Sequence, residues 1–373
     1  MSCKEKIGEN NKVPWINSLK GVAILGIVSA HCGGSGNKYL DILIGNGPLG
    51  VQMFFIISAF LTFISMEQNL GDGINIKSVG QWWARKFIRL IPMYFLALFT
   101  YAFLFGGNKY WLGHAGKVSV LNIVTHIFFL HGINPYYINS VLGVEWYLAV
   151  LALFYILAPL LYKYINTLEK ALMLFVAVTL VSYYIIKAAL SFCPITDAYI
   201  WEAYIGYFGF FEQFPVLIIG IILYFSVKRI GASSTIKGNR ALSYSVLLFS
   251  IHLLIGTLLE ENRLFHVSGH VIVGIIFLGI CLSQEIHCSP LAVNKVFAQW
   301  GKYSYPIFLF HFAFKNTFEK VMGGGTGVAF CLMKIGMVMT GCWLTACILT
   351  KWVDRPIIRL LEKGLKIRES KGE

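Results

Sequence analysis

Charge is what this sequence has least of. Only 13% of its 373 residues are Asp, Glu, Lys or Arg, about half the share of an ordinary soluble domain. So little charge cannot cover a water-facing surface of this size. Familiar soluble catalytic templates are missing too. There is no G-x-S-x-G elbow, no H-E-x-x-H pair and no P-loop, and no His is followed four or five residues on by Asp. The eight cysteines never fall as C-x-x-C, so neither a zinc site nor a dithiol redox motif is indicated. No internal repeat, low-complexity tract or separate soluble domain is visible, and disorder, collagen-like repeats and disulfide scaffolds are excluded by the same composition.

What is present is apolar bulk: 57% hydrophobic residues with 29 Phe, 19 Tyr and 9 Trp, and a mean hydropathy of +0.68. These values describe a chain whose solvent is largely lipid. Apolar runs near 16–31, 48–65, 90–105, 141–161, 171–190, 207–226, 242–259, 270–283, 303–314 and 328–350 predict about ten transmembrane helices. With both termini cytoplasmic, 23 of the 31 Lys and Arg fall in inner segments and 6 in outer ones. That is the positive-inside pattern. The net charge of +13 is thereby explained by topology, and no nucleic-acid partner is implied. A further run at 118–130 is read as re-entrant or interfacial, because letting it cross would invert every later loop. The expected architecture is an all-α polytopic bundle, one membrane domain over 1–373 with its core at 15–359 and a short cytoplasmic tail at 360–373. The lysines and apolar run ending Val28-Ser29-Ala30 also resemble a cleavable signal peptide, but the continuing spans favour an uncleaved first helix. A Cys32–Cys193 disulfide between outer loops is a minor alternative.

Ionisable groups in or at the rim of a membrane are costly and are functional candidates by default. Lys20 and His31 bracket the first span, about 16 Å apart along a helix, with His31 just before the helix-breaking Gly33-Gly34-Ser35-Gly36. An imidazole there is either an interfacial hydrogen-bonding group or a general base suited to neutral pH. Arg85, Lys86 and Arg89 lie in Trp82-Trp83-Ala84-Arg85-Lys86-Phe87-Ile88-Arg89-Leu90-Ile91-Pro92, the two arginines on one face, at a span that Pro92 starts or kinks. They read as positive-inside anchors or as a phosphate site. Glu145 and Trp146 open a later span at its outer end. They mark the water boundary and aromatic belt, or they orient His31 and contact a sugar. His311 sits in an otherwise apolar run, structurally satisfied or facing substrate.

Taken in order, these segments resemble the acyltransferase 3 family of integral membrane acyltransferases, from about Trp15 to Arg359. The family's L-R-G-x-A…His first span is matched by Lys20 to His31, with Lys for Arg. Gly50-Val51-Gln52-Met53-Phe54-Phe55-Ile56-Ile57-Ser58-Ala59-Phe60 matches G-V-D-x-F-F-x-x-S-G-F except at Gln52 and Ala59. Arg85-Lys86-Phe87-Ile88-Arg89-Leu90-Ile91-Pro92 matches R-R-x-x-R-x-x-P with Lys86 for one Arg. Trp146 to Pro159 follows W-x-L-x-x-E-x-x-F-Y-x-x-x-P, but Leu151 replaces the Glu. Ser304 to His311 resembles S-x-x-I-Y-L-x-H, and Asp354-Arg355-Pro356 the closing E-R-P.

The resemblance implies an acetyl-CoA (acyl-CoA) donor, no metal, and a surface polysaccharide or other glycan or lipid-linked acceptor at a multi-pass inner (cytoplasmic) membrane. It implies His31 as general base and Lys20, Arg85, Lys86 and Arg89 as donor-binding cations. Ser58, Glu145, Trp146 and His311 are substrate-side candidates. The alternatives are a transporter or flippase of a glycan or lipid intermediate, and a sensory relative that has lost activity. Lys cannot reproduce the bidentate fork of Arg, and Leu151 removes a carboxylate outright.

Overall fold

The structure, a computed structural model, describes residues 13–71, 74–108, 111–259, 268–290, 292–323 and 325–365. Cys3 and the tail from residue 366 lie outside the described residues. Among these residues all regular structure is helical. In chain order the helices are α1 Pro14–His31, α2 Lys38–Gly45, α3 Gly50–Asn69, α4 Ile76–Thr100, α5 Val120–Ile127, α6 Trp146–Tyr164, α7 Leu168–Leu190 and α8 Ala198–Ala203. There follow α9 Phe210–Ala232, α10 Arg240–Leu259, α11 Gly269–Ile286, α12 Lys295–Lys302, α13 Ser304–Met322, α14 Val328–Leu349 and α15 Arg355–Gly364.

Each of the ten expected spans coincides with one of these helices. Eight helical segments among the described residues are long and apolar enough to cross a bilayer, and the protein is an all-α polytopic membrane bundle. The two expected spans that fall outside those eight are α1 and α13, the helices that carry His31 and His311. Their lower hydropathy comes from polar residues spread along them, Asn17, Ser18, Lys20 and Ser29 on one and Lys315, Asn316, Glu319 and Lys320 on the other.

Two expectations about helix ends are refined. Pro92 does not start its helix. Asn75 accepts the Ser78 N–H at 2.9 Å and the Ser78 hydroxyl accepts the Asn75 N–H at 3.2 Å, a capping box that begins α4 well before the apolar run. Pro92 then sits inside a continuous helix. The run at 118–130 is the eight-residue α5, capped by Ser119. At about 12 Å it is far shorter than a hydrocarbon core of about 30 Å. It is followed by Phe129 at φ 58°, a non-glycine residue in the left-handed region. Cys32 and Cys193 are both free thiols.

The described residues form two compact units, one drawn from 13–60 and 219–348, the other from 61–218 and 349–365. In the first, α1 packs on α12, α13 and the turn at Gly47–Leu49. The approach is backbone to backbone. A Cβ added at Gly301 would fall on the Asn17 carbonyl, one at Gly21 on the Phe297 carbonyl, and one at Gly47 on the Gly26 carbonyl. Small residues at such crossings are how helices pack when lipid removes the hydrophobic drive between them. At the start of α1, Trp15 is buried and its indole N–H donates to Glu285 Oε2 at 2.9 Å.

In the second unit α4 is the spine. The Trp82 indole donates to Ser65 Oγ at 3.2 Å, the Trp83 indole to the Tyr155 carbonyl at 2.8 Å, and α15 packs along α4. Five-residue π-helical turns interrupt this unit at Tyr101–Phe105, Tyr204–Phe208 and Thr350–Asp354.

Substituting Gly301→Ala forces α1 and α12 apart at a core crossing. It is expected to cost about 1 to 3 kcal/mol, read as a lowered melting temperature in detergent. Gly256→Ala, where an added Cβ meets nothing within 4 Å, serves as the neutral comparison.

Candidate active site

His31 is the last residue of α1. Its ring centroid lies 5.2 Å from that of His311 and 4.5 Å from that of Phe312, both on α13. His311 is fully buried. Its Nδ1 lies 2.7 Å from the Phe308 carbonyl. A carbonyl can only accept, so Nδ1 carries the proton, and in the neutral ring Nε2 holds a lone pair. That Nε2 is buried and makes no hydrogen bond among the described residues. The stacked Phe312 ring, 4.6 Å away at 28°, covers one face of His311. Lys315, one turn along α13, acts electrostatically on both imidazoles. The structure therefore brings together two of the sequence candidates, His31 and His311, in one unit. Lys20 lies half-buried toward the start of α1, and Ser58 half-buried within α3. Gln52, where the family motif quoted above has Asp, is fully buried with neither amide atom bonded among the described residues, a costly arrangement in an apolar helix.

Three of the four cationic candidates, Arg85, Lys86 and Arg89, belong to the second unit, and Lys20 to the first. Arg85 and Arg89, four residues apart on α4, both feel the carboxylate of Glu362 from α15. The Arg85 Nε is buried and makes no hydrogen bond among the described residues, a donor still available to an anionic oxygen. Lys86 points elsewhere. Its ammonium lies over the rings of Trp82 at 5.6 Å and Tyr155 at 5.9 Å. The three cations thus divide into an arginine pair and an aromatic-boxed lysine.

Glu145 is fully buried, which rules out the water-boundary reading. One carboxylate oxygen accepts the Val141 N–H at 2.6 Å and the other accepts those of Gly143 at 2.7 Å and Val144 at 3.0 Å. The carboxylate is consumed in holding the turn that enters α6. Its Oε1 also faces His126 Nε2 at 3.5 Å. His126 stacks on His131, centroids 4.2 Å apart at 11°. The His131 Nε2 bonds the Glu145 carbonyl at 3.1 Å, and burial together with the neighbouring His126 pushes His131 well below the usual histidine range, so it stays neutral. Trp146 is 4% exposed against Tyr207 and Phe208. Leu151, the residue in place of the family Glu, is buried in the same helix. The sequence reading missed His126 and His131. Two histidines inside an apolar run, with a lone carboxylate downstream, were the signal for them.

Residues 13–347 match the acyltransferase 3 family, described as an acyltransferase domain. The chain belongs to the acyltransferase 3 family. It is 24% identical over 323 residues to a Staphylococcus aureus (strain COL) protein named as an O-acetyltransferase, covering 81% of this chain and 50% of that relative. A protein of strain MSSA476 with the same kind of name matches at the same identity and coverage. A Bacillus subtilis (strain 168) protein named as a peptidoglycan O-acetyltransferase is 24% identical over 163 residues, 42% of this chain and 24% of the relative. The chain spans about half the length of the Staphylococcus relatives it matches. No solved structure matches it. Lys20, Gln52, Ala59, Lys86, Leu151 and Asp354 are where this acyltransferase 3 chain departs from the motifs quoted above.

Replacing Glu145 by Ala strands three backbone N–H groups around a buried turn. The expected loss is about 3 to 5 kcal/mol of stability, measured by thermal unfolding of the purified protein. Glu145→Gln, which opposes an amide to those donors, is expected to be destabilised as well.

Proposed function

We propose that the chain is a membrane O-acyltransferase that moves an acyl group, acetyl as the presumed case, from acyl-CoA to a hydroxyl of a glycan or lipid-linked acceptor at the cytoplasmic membrane. The observation that carries this reading is the His31–His311 pair. A partly open imidazole ends α1 beside a buried one whose tautomer is fixed by a carbonyl and whose remaining nitrogen is bare. Family membership and the names of the relatives support the reaction class.

In this mechanism His31 takes the proton of the acceptor hydroxyl as its oxygen attacks the thioester carbonyl carbon. The tetrahedral intermediate collapses with cleavage of the C–S bond. CoA departs as a thiolate and takes the proton back from the His31 imidazolium. General-base assistance of this kind is worth about 10² to 10⁴ in rate. The lone pair on His311 Nε2 is an acceptor for an imidazolium N–H of His31, which would hold that ring and stabilise its charged form. On the donor side, the buried unbonded Nε of Arg85 and the nearby guanidinium of Arg89 suit phosphate oxygens of CoA. Lys86, over its aromatic rings, supplies charge more than directional bonds.

Membranes holding the full chain, given labelled acetyl-CoA, test this. His31→Ala is expected to lower transfer by about 10² or more while the protein still inserts. Arg89→Ala is expected to raise KM for acetyl-CoA about tenfold with a smaller effect on kcat. Full activity in the His31 variant removes the general-base assignment. Failure of CoA to protect Arg85 and Arg89 from an arginine-selective reagent favours the flippase reading.

A further inference from the structure

Beyond the imidazoles, α13 continues outward with Lys315 and Glu319. His311, Lys315 and Glu319 are spaced by four and share one face of the helix. Glu319 Oε2 binds the Lys315 ammonium at 3.1 Å. Its Oε1 binds Lys334 of α14 at 2.7 Å. Lys334 is only 7% exposed in a helix otherwise made of apolar and small residues, a placement that requires a partner. Glu319 and Lys334 line a cavity of about 340 Å³ whose other walls include Phe330 and the stretch Cys32–Gly34 directly after His31. Gly323, Gly325 and Cys331 complete it. Gly33 and Gly323 adopt φ of 93° and 70°, where side chains are disfavoured, so bare backbone faces the space.

We infer that this cavity is an acceptor subsite that takes a neutral, hydroxyl-rich sugar ring. The chemistry of the wall selects the ligand class. An anion would confront the Glu319 carboxylate, and a cation would confront Lys334. Adjacent hydroxyls serve both at once, donating to the carboxylate and accepting from the ammonium, while the Phe330 ring offers an apolar face to the C–H side of a pyranose. The volume lies at the small end of ligand sites, about 300 to 1,000 Å³, which suits one ring. The wall begins at Cys32, the residue directly after His31. The subsite therefore adjoins the proposed general base, and the ring it holds belongs to the acceptor. By the charge asymmetry, Lys315, Glu319 and the Gly33–Gly36 loop belong to the outer side. The purpose of the subsite rests on the acyltransferase reading; its geometry does not.

Saturation-transfer NMR on the full chain in nanodiscs, with methyl glycosides of glucose, galactose, mannose and N-acetylglucosamine as probes, tests the assignment without any turnover. Transfer to the ring protons of at least one glycoside is expected. Glu319→Gln should weaken it about tenfold, the worth of one hydrogen bond to a charged group. Gly34→Trp, which fills the cavity from an open loop position where the nearest atoms to a new Cβ are the Asp41 carboxylate at 3.6 to 3.7 Å, should abolish it. Gly256→Ala, outside the wall and at a position where an added Cβ meets nothing within 4 Å, should bind as the wild type does. Absence of transfer from every glycoside, or equal transfer in the Glu319 and Gly34 variants, overturns the subsite. A His31 variant that keeps transferase activity overturns the mechanism instead, and leaves the binding result standing.

Discussion

The position of α1 depends on backbone touching backbone. At Gly21 against Phe297, Gly301 against Asn17 and Gly47 against Gly26 there is no room for a single carbon. In a lipid solvent, burial of apolar area distinguishes poorly between one helix contact and another, so close van der Waals fit has to supply the specificity. The glycines fix both the depth and the rotation of α1, and with them the place of its last residue. His31 meets His311 because of contacts made between about one and four turns earlier in the same helix.

Polarity is distributed accordingly. The two expected spans of lowest hydropathy are the ones that bear the imidazoles, and each of their polar groups needs a partner that lipid cannot provide. Ser29 bonds back to the Leu25 carbonyl at 2.7 Å, the Trp15 indole finds Glu285, and Glu319 serves two lysines. What is left unbonded is informative by contrast. Gln52, the Nε of Arg85 and the Nε2 of His311 are among the groups buried without a hydrogen bond among the described residues, and a folded protein keeps such groups at a cost.

The long helices and their order were legible in the sequence because apolar runs of membrane length have few alternatives to spanning, while the short α2, α8, α12 and α15 were not. The short α5 was legible for a different reason, through the sign of the loops around it. His31 and the arginine pair were legible through ionisable residues where lipid is expected. Glu145 was seen but misjudged, since a carboxylate next to a tryptophan at a span boundary looks like a water marker. Its actual partners are the N–H groups of Val141, Gly143 and Val144, which have no letter in the sequence. Lys334 and Glu319 escaped for a related reason. They sit fifteen residues apart on neighbouring helices, and only the α13–α14 turn makes them a pair.

The π turn at Thr350–Asp354 bears on the arginine site from a distance. A π turn is what remains when one residue is inserted into an α-helix whose two ends stay put. One residue is worth a rotation of roughly 100°. With the extra residue, α15 presents Glu362 toward Arg85 and Arg89; in an uninterrupted helix the same carboxylate would swing about a quarter turn aside. The field at the two guanidinium groups is therefore set partly by chain length in a segment that carries neither of them. A homologue one residue shorter there would have a more strongly positive field at the arginine pair with every charged residue unchanged.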